Sequence, residues 1–209
     1  MKKVWAFLVV IVGSCIQFSC DKNEDSIPEF PIEQADAISI DEYQIYSHVL
    51  ERFSSSQLVV RQKTSAYTPS EEKLTLFFNL EKLAAMDEGL YNQFQLENSA
   101  TYLLGPDIVV PGKETYLLSN DAYSYYFDRA NHSISWELFD KKYPNGGKWY
   151  TTFTKIGFNE SSNQALVGME SYWYMSSENG STHKSGTLFY LEKIDGVWTF
   201  IASTAYELP

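Results

Sequence analysis

Glu170, Tyr172 and Tyr174 alternate along one apolar stretch, and Tyr206 stands in another close to the end of the chain. Side chains two apart in a strand share a face. A carboxylate and phenols placed that way could meet on a ligand through hydrogen bonds and ring stacking. The same residues also read as core aromatics, with Glu170 at a sheet edge or bonded to a tyrosine hydroxyl. Other chemistries lack their residues. His48, His132 and His183 are far apart and none has a second ligand at His-x-x-x-His spacing, which argues against zinc or any other metal. No Gly-x-Ser-x-Gly turn offers a serine nucleophile. Gly146-Gly147 lies outside a strand, glycine loop and helix context for phosphate, and Asp107, Asp121 and Asp128 form no Asp-x-Asp-x-Asp loop for calcium. Paired carboxylates for glycoside cleavage are defined by separation in space, and Glu170 and Glu192 fall on opposite faces in the register derived below. No catalytic residue and no cofactor is assigned.

The thiol chemistry is of a different kind. Lys2 and Lys3 precede an apolar run from Val4 to Gly13, the pattern of a cleaved export signal and too short for a membrane span. Two cysteines follow. Val12-Gly13-Ser14 before Cys15 fits the apolar, small, small pattern of a lipidation site better than Gln17-Phe18-Ser19 before Cys20. Yet Cys20 is followed by Asp21-Lys22-Asn23-Glu24-Asp25, which resembles the acidic, lysine-containing tether after the lipidated cysteine in surface lipoproteins of Bacteroidota-type bacteria. That resemblance implies acylation at Cys20, an outer-membrane address and display on the cell surface, with Cys15 as competitor. An acylated Cys20 leaves no thiol in the folded domain, so disulfides and thiolate metal sites are excluded. Each buried methylene of the anchor contributes about 0.8 kcal/mol.

The expected organisation is a signal peptide over 1–19, a flexible tether over 20–37 with Pro28 and Pro31 among scattered acids, and one globular domain over 38–209. Removing residues 1 to 20 takes two of the 16 basic residues and none of the 27 acidic ones, moving the formal charge from −11 to −13. Nucleic acid is thereby excluded as a partner, because counterion release needs a basic patch. The acidity itself reads as solubility.

Ser39 with Glu42 three residues on is a capping box, and Tyr43, Tyr46, Val49, Leu50 and Phe53 recur at helical spacing, so a helix is predicted from Ile40 to Phe53. Leu58 to Tyr67 reads as a strand, Leu76 to Leu83 as strand or helix, and Glu81 to Tyr91 as helical. Short strands are expected between Asn92 and Asn120, broken at Gly105-Pro106 and Pro111-Gly112. Ser119 or Asn120 can cap a helix, and Ser135 to Tyr143 suggests another, stopping before Pro144. Tyr150 to Phe158, Gln164 to Met175, Thr187 to Ile194 and Val197 to Tyr206 are strand-like. The expected fold is α+β, one domain with a C-terminal four-stranded antiparallel meander covered by helices.

If Asn179-Gly180 and Asp195-Gly196 are two-residue hairpin loops, Glu170 pairs with Phe189, Tyr172 with Thr187, Leu191 with Phe200 and Phe189 with Ala202. One face then collects Glu170, Tyr172, Tyr174, Phe189, Leu191, Trp198, Phe200 and Tyr206, and the other Val167, Met169, Trp173, Leu188, Tyr190, Ile194, Val197 and Ile201. Both faces are apolar, so both need cover.

The ending Leu191 to Phe200, with Asp195-Gly196 at its turn, resembles the last hairpin of nuclear transport factor 2-like folds, although the strand after the first helix departs from that group and no site residue is carried over. Trp-x-x-Phe-x-x-x-Tyr-Pro from Trp136, Phe-x-x-Ile-Gly-Phe-Asn from Phe153, Gln-Ala-Leu-Val from Gln164 and Asp-Gly-x-Trp from Asp195 resemble uncharacterised bacterial lipoproteins. Two functions stay open. One is a membrane-anchored, non-catalytic domain that binds a protein or small-molecule ligand, motivated by the anchor and by 15 tyrosines and five tryptophans. The other is a small cell-envelope hydrolase with Glu170, Tyr172, Tyr174 and Tyr206 in a cleft. A deep cleft holding Glu170 beside a second acid or histidine would favour the enzyme; a filled sheet face with an exposed aromatic patch would favour binding.

Overall fold

The structure, a computed structural model, describes residues 27–70, 86–128, 132–175 and 181–208. Cys15, Cys20, the Leu76 to Leu83 segment and the Asn179-Gly180 turn lie outside these residues. The chain is α+β, with four helices among the described residues packed on a seven-stranded mixed sheet.

Helix α1 (Ile40–Leu50) starts where the capping box places it. Ser39 Oγ accepts from the Glu42 N–H at 3.3 Å and the Glu42 carboxylate accepts from the Ser39 N–H at 2.8 Å, satisfying two amides that a first turn otherwise leaves open. The helix stops short of Phe53 because Lys113 Nζ donates to the carbonyls of Leu50 and Glu51, at 3.3 and 3.0 Å. There a cation also meets the negative end of the helix. Strand β1 (Gln57–Arg61) follows, then helix α2 (Leu90–Glu97), strand β2 (Glu114–Leu118), helix α3 (Asn120–Phe127) capped by Ser119, and helix α4 (His132–Lys142). Residues 92 to 97 are therefore helical and not strand, since Leu90 and Phe94 are buried one turn apart on a shared stripe.

Strands β3 (Trp149–Phe153), β4 (Gly157–Phe158), β5 (Gln164–Met175), β6 (Ser181–Ile194) and β7 (Val197–Tyr206) complete the sheet. The single strand expected from Tyr150 to Phe158 is broken at Lys155. Its N–H donates to Asn98 Oδ1 at 2.8 Å and its carbonyl accepts from Asn98 Nδ2 at 2.9 Å, so a side chain replaces the ladder partner. The ammonium turns inward to the buried Glu42 carboxylate at 2.7 Å. That pair ties α1 to the corner between β3 and β4.

Strand order is β2-β1-β3-β5-β6-β7, with β4 also paired to β5. Both β2 and β3 run parallel to β1, and the remaining pairs are antiparallel. The Asp195-Gly196 hairpin sets Leu191 opposite Phe200 as expected. Beyond it, a bulge between Tyr190 and Leu191 moves Phe189 from Ala202 to Ser203. Between β5 and β6 the pairing joins Met175 to Ser181, so Glu170 pairs with Gly186 and Tyr172 with Lys184. Phe189 and Thr187 are not their partners. Three residues is an odd shift, which exchanges the faces of β6 relative to β5.

Both faces are covered. One carries Leu58, Val60, Phe153, Val167, Met169, Phe189, Leu191 and Trp198 against α1. The other has two apolar clusters. Leu166, Leu188, Tyr190 and Tyr206 pack on α2, and Val59, Leu118 and Tyr150 pack on α3 and α4, with Tyr172 and Tyr174 partly buried beside them. Phe189, Leu191, Trp198 and Phe200 thus leave the face on which Glu170 was expected to join them, and Leu188 and Tyr190 take their place.

The second half of the expected tether is docked. Ile27 and Phe30 pack against the α3 and α4 cluster. The Glu33 N–H donates to Gln62 Oε1 at 2.9 Å, Asp36 exchanges two bonds with Leu103, and Ile38 reaches the α1 cluster. Ile27 to Ile38 is a strap from one sheet face to the other. Among the described residues no helix is long and apolar enough to cross a membrane.

Removing the Lys155 ammonium strands a buried carboxylate, so Lys155→Met is expected to cost about 3–5 kcal/mol in urea unfolding, with Glu42→Gln in the same chain restoring much of it. A second expectation concerns alkali. Burial pushes the Tyr143 hydroxyl from 10.0 up to about 12, and raises Tyr126, Tyr150 and Tyr172 further. The unfolded chain then releases protons near pH 10 that the folded chain keeps, so this contribution is complete below pH 10 and fades as pH rises toward the folded values. Unfolding midpoints measured across that range should fall together with a late, cooperative rise in tyrosinate absorbance.

Candidate functional site

One rung crosses four strands on the face that α2, α3 and α4 cover: Thr152 of β3, Glu170 of β5, Gly186 of β6 and Tyr206 of β7. Gly186 has a specific reason to be glycine. A Cβ there would lie 2.2 Å from Tyr206 Cε2, and one at Gly168 would come 3.1 Å from the Tyr206 hydroxyl. The ring therefore lies flat across β6 with its hydroxyl over β5, and Tyr67 packs on it at 5.6 Å between centroids.

Glu170 is 5 % exposed. Its Oε1 accepts from Ser65 Oγ, and its Oε2 accepts from the Tyr172 hydroxyl at 2.8 Å. Tyr172 is held by stacking on Tyr150, 4.9 Å between centroids and 8° between planes. Tyr150 in turn meets the edge of Tyr123, over whose face the Arg61 guanidinium sits at 3.9 Å. Three buried polar atoms around this seam, Tyr206 OH, Thr152 Oγ1 and Arg61 Nε, have no hydrogen-bond partner among the described residues. Burial first, and the Glu170 charge second, hold the Tyr172 and Tyr206 hydroxyls well above the ordinary tyrosine value. Both remain donors at neutral pH.

Glu170, Tyr172 and Tyr206 are thus brought together. Tyr174 shares their face but leaves them, its hydroxyl donating to Ser133 Oγ at 3.3 Å and its ring lying 6.2 Å from Trp136. Glu192 also shares the face, contrary to the expected register. It pairs with Gln164, six residues from Glu170 along β5 and so roughly 20 Å away, and its carboxylate accepts from Tyr190. Glu170 therefore has hydroxyls and not a second acid or histidine as its bonded partners, an arrangement that stabilises an anion without relaying a proton. Sequence reasoning missed Ser65, Thr152, Arg61 and Tyr67. Glycines inside β5 and β6 were the available signal, because a strand glycine marks a close approach over the sheet.

An open surface lies on the opposite face. A trench of about 730 Å³ runs along the outside of α1, walled by the loop carrying Asp107, Val109 and Pro111 and by the β6–β7 turn at Gly196 with the start of β7 at Val197 and Trp198. Its apolar rims are Ile40, 78 % exposed, Val109, 70 %, and Val197, 65 %. His48 lines it too, stacked on Phe200 at 4.5 Å and bonded through Nδ1 to Glu51 at 2.9 Å. The rims are aliphatic. Most described tyrosines are buried in or packed against the core clusters, so the aromatic content belongs to the interior and not to an exposed aromatic patch. Among the described residues no group of three or more His, Cys, Asp or Glu could hold a metal ion.

No protein-family model matches the chain, and no curated protein matches it.

The two tyrosines at Glu170 should respond oppositely to loss of a hydroxyl. Tyr172→Phe leaves a buried carboxylate oxygen without its donor and should cost about 1–3 kcal/mol, whereas Tyr206→Phe removes an unpaired buried group and should be neutral or stabilising by up to about 1 kcal/mol. Urea unfolding of both variants checks this, and equal destabilisation would contradict the assigned bonding.

Proposed function

We propose that the chain is a lipoprotein of the Bacteroidota surface type, acylated at Cys20, anchored in the outer membrane and facing outward, whose folded domain binds a partner or ligand and does not turn it over. The observation that carries the binding reading is the contrast between the two candidate surfaces. The carboxylate seam is closed and its anion is already held by two hydroxyls, while the trench over α1 is open and apolar-rimmed. Large exposed apolar rims on a chain of this acidity favour a recognition role over solubility. In this reading β3, β5, β6 and β7 serve as the antiparallel meander on which both surfaces are built.

The anchor fits the docked strap. With Ile27 already packed on the domain, the chain between it and Cys20 reaches at most about 25 Å, so the domain stands close to the bilayer with its α3 and α4 side nearest. A second reading, a hydrolase using Glu170, draws on the unpartnered Tyr206 and Thr152 hydroxyls beside the carboxylate. It requires turnover of a chromogenic ester or glycoside that Glu170→Gln abolishes.

The mass of the mature N-terminus and the partition of the chain between membrane and soluble fractions test the anchor. Cys20→Ala should lose both the lipid mass and membrane association, and Cys15→Ala should keep both. The reverse pattern would move the anchor to Cys15.

A further inference from the structure

We infer that the trench over α1 docks an extended peptide segment of a partner protein, apolar in its middle and cationic at the end that meets Glu51 and Asp107. This rests on the proposal that the domain acts by binding, and adds the chemistry of the partner. Charge is the first argument. Glu51 and Asp107 line the trench and His48 is bonded to Glu51, while the ammonium groups beside it are already engaged, Lys193 on Asp41 and Lys113 on the carbonyls that end α1. A cationic segment is attracted there, and the charge of −13 on the chain without residues 1 to 20, against −11 for the whole, steers it from a distance.

Shape is the second. The floor follows α1 from Ile40 to Glu51, roughly 16 Å at 1.5 Å per helical residue, which suits about five residues of extended chain. Ile40, Val109 and Val197 flank that length with exposed methyl groups. Trp198, 4 % exposed, forms part of the wall.

Orientation is the third, and it separates a protein segment from a lipid surface. Ile27 and Phe30, where the described chain begins, pack on the α3 and α4 side of the sheet, whereas the trench lies over α1 on the other side. With the anchor proposed at Cys20, a chain of at most about 25 Å would hold the first side toward the bilayer and turn the trench outward. The two carboxylates also repel an anionic headgroup layer.

The test selects a random short-peptide library against the full chain, held in zwitterionic nanodiscs, or in buffer if it proves not to be lipidated. Enriched peptides should combine Lys or Arg with apolar residues. Synthetic copies should bind roughly tenfold more weakly to Val109→Ser and to Val197→Ser, each of which removes apolar contact, and more weakly to the double variant Glu51→Gln, Asp107→Asn, with a steeper loss in salt for the wild type. These residues are exposed, and circular dichroism should confirm that the variants stay folded. Peptides that bind equally well to the trench variants overturn this inference and leave a binding function standing. Acidic peptides also overturn it, as does trench-dependent binding to vesicles of phosphatidylcholine with phosphatidylglycerol. Absence of any enriched peptide overturns it, and chromogenic turnover lost in Glu170→Gln would then overturn the binding function as well.

Discussion

Strand β5 is buried on both faces, and the placement of the other elements follows from covering it. From Ala165 to Ser171 every residue is buried, with β3 and β4 on one side and β6 on the other satisfying its backbone. Alternate side chains then need two separate apolar covers. Helix α1 supplies one, and α2, α3 and α4 supply the other. Burying one large apolar side chain contributes about 1.5–3 kcal/mol, so a strand of this kind anchors the fold only if nothing polar along it goes unpaired. Glu170 is the exception that has to be accommodated. It lies between the α2 cluster and the α3–α4 cluster, where Ser65 and Tyr172 can reach its oxygens.

That accommodation explains several features that look unrelated. Gly186 removes a Cβ so that Tyr206 can lie across the sheet beside the carboxylate, and Gly168 leaves room for the Thr154 methyl as well as the Tyr206 hydroxyl. Segment 65–70 crosses above, with Ser65 donating to Glu170 and Tyr67 covering the Tyr206 ring. The stack of Tyr172 on Tyr150, and of Arg61 on Tyr123, continues the polar seam into the aromatic cluster. Acid–base catalysis wants a titratable pair at working distance, and hydroxyls raised above their ordinary range by burial do not supply one. The same groups suit a fixed anion that keeps two helical covers in register.

Local signals were legible and distant ones were not. The Ser39–Glu42 box, the Ser119 cap and the Asp195-Gly196 turn each encode their geometry within four residues, and β5 and β7 begin and end where their alternation does. The pairing of β5 with β6 depended on a loop length that Asn179-Gly180 suggested wrongly, and an odd error exchanges every side chain between faces. Tyr206 nevertheless joined Glu170, because the bulge at Tyr190/Leu191 shifted β7 by a further residue. Two offsets cancelled. Ser65 is 105 positions from Glu170, and no local pattern announces such a partner. The tether was read from polarity and proline, but Phe30 finds Tyr125 and Tyr126 at 5.1 and 6.4 Å, contacts that exist only once α3 has formed.

Docking of Ile27 to Ile38 ties the two covers of the sheet together, since Ile27 and Phe30 pack on the α3–α4 side and Ile38 reaches the α1 cluster. On that second side lies α1, whose inner stripe closes the core through Ile45, Tyr46, Val49 and Leu50 while Ile40, Gln44, Ser47 and Glu51 face the trench. One helix therefore seals β5 against water on its inner stripe and floors the open trench on its outer one.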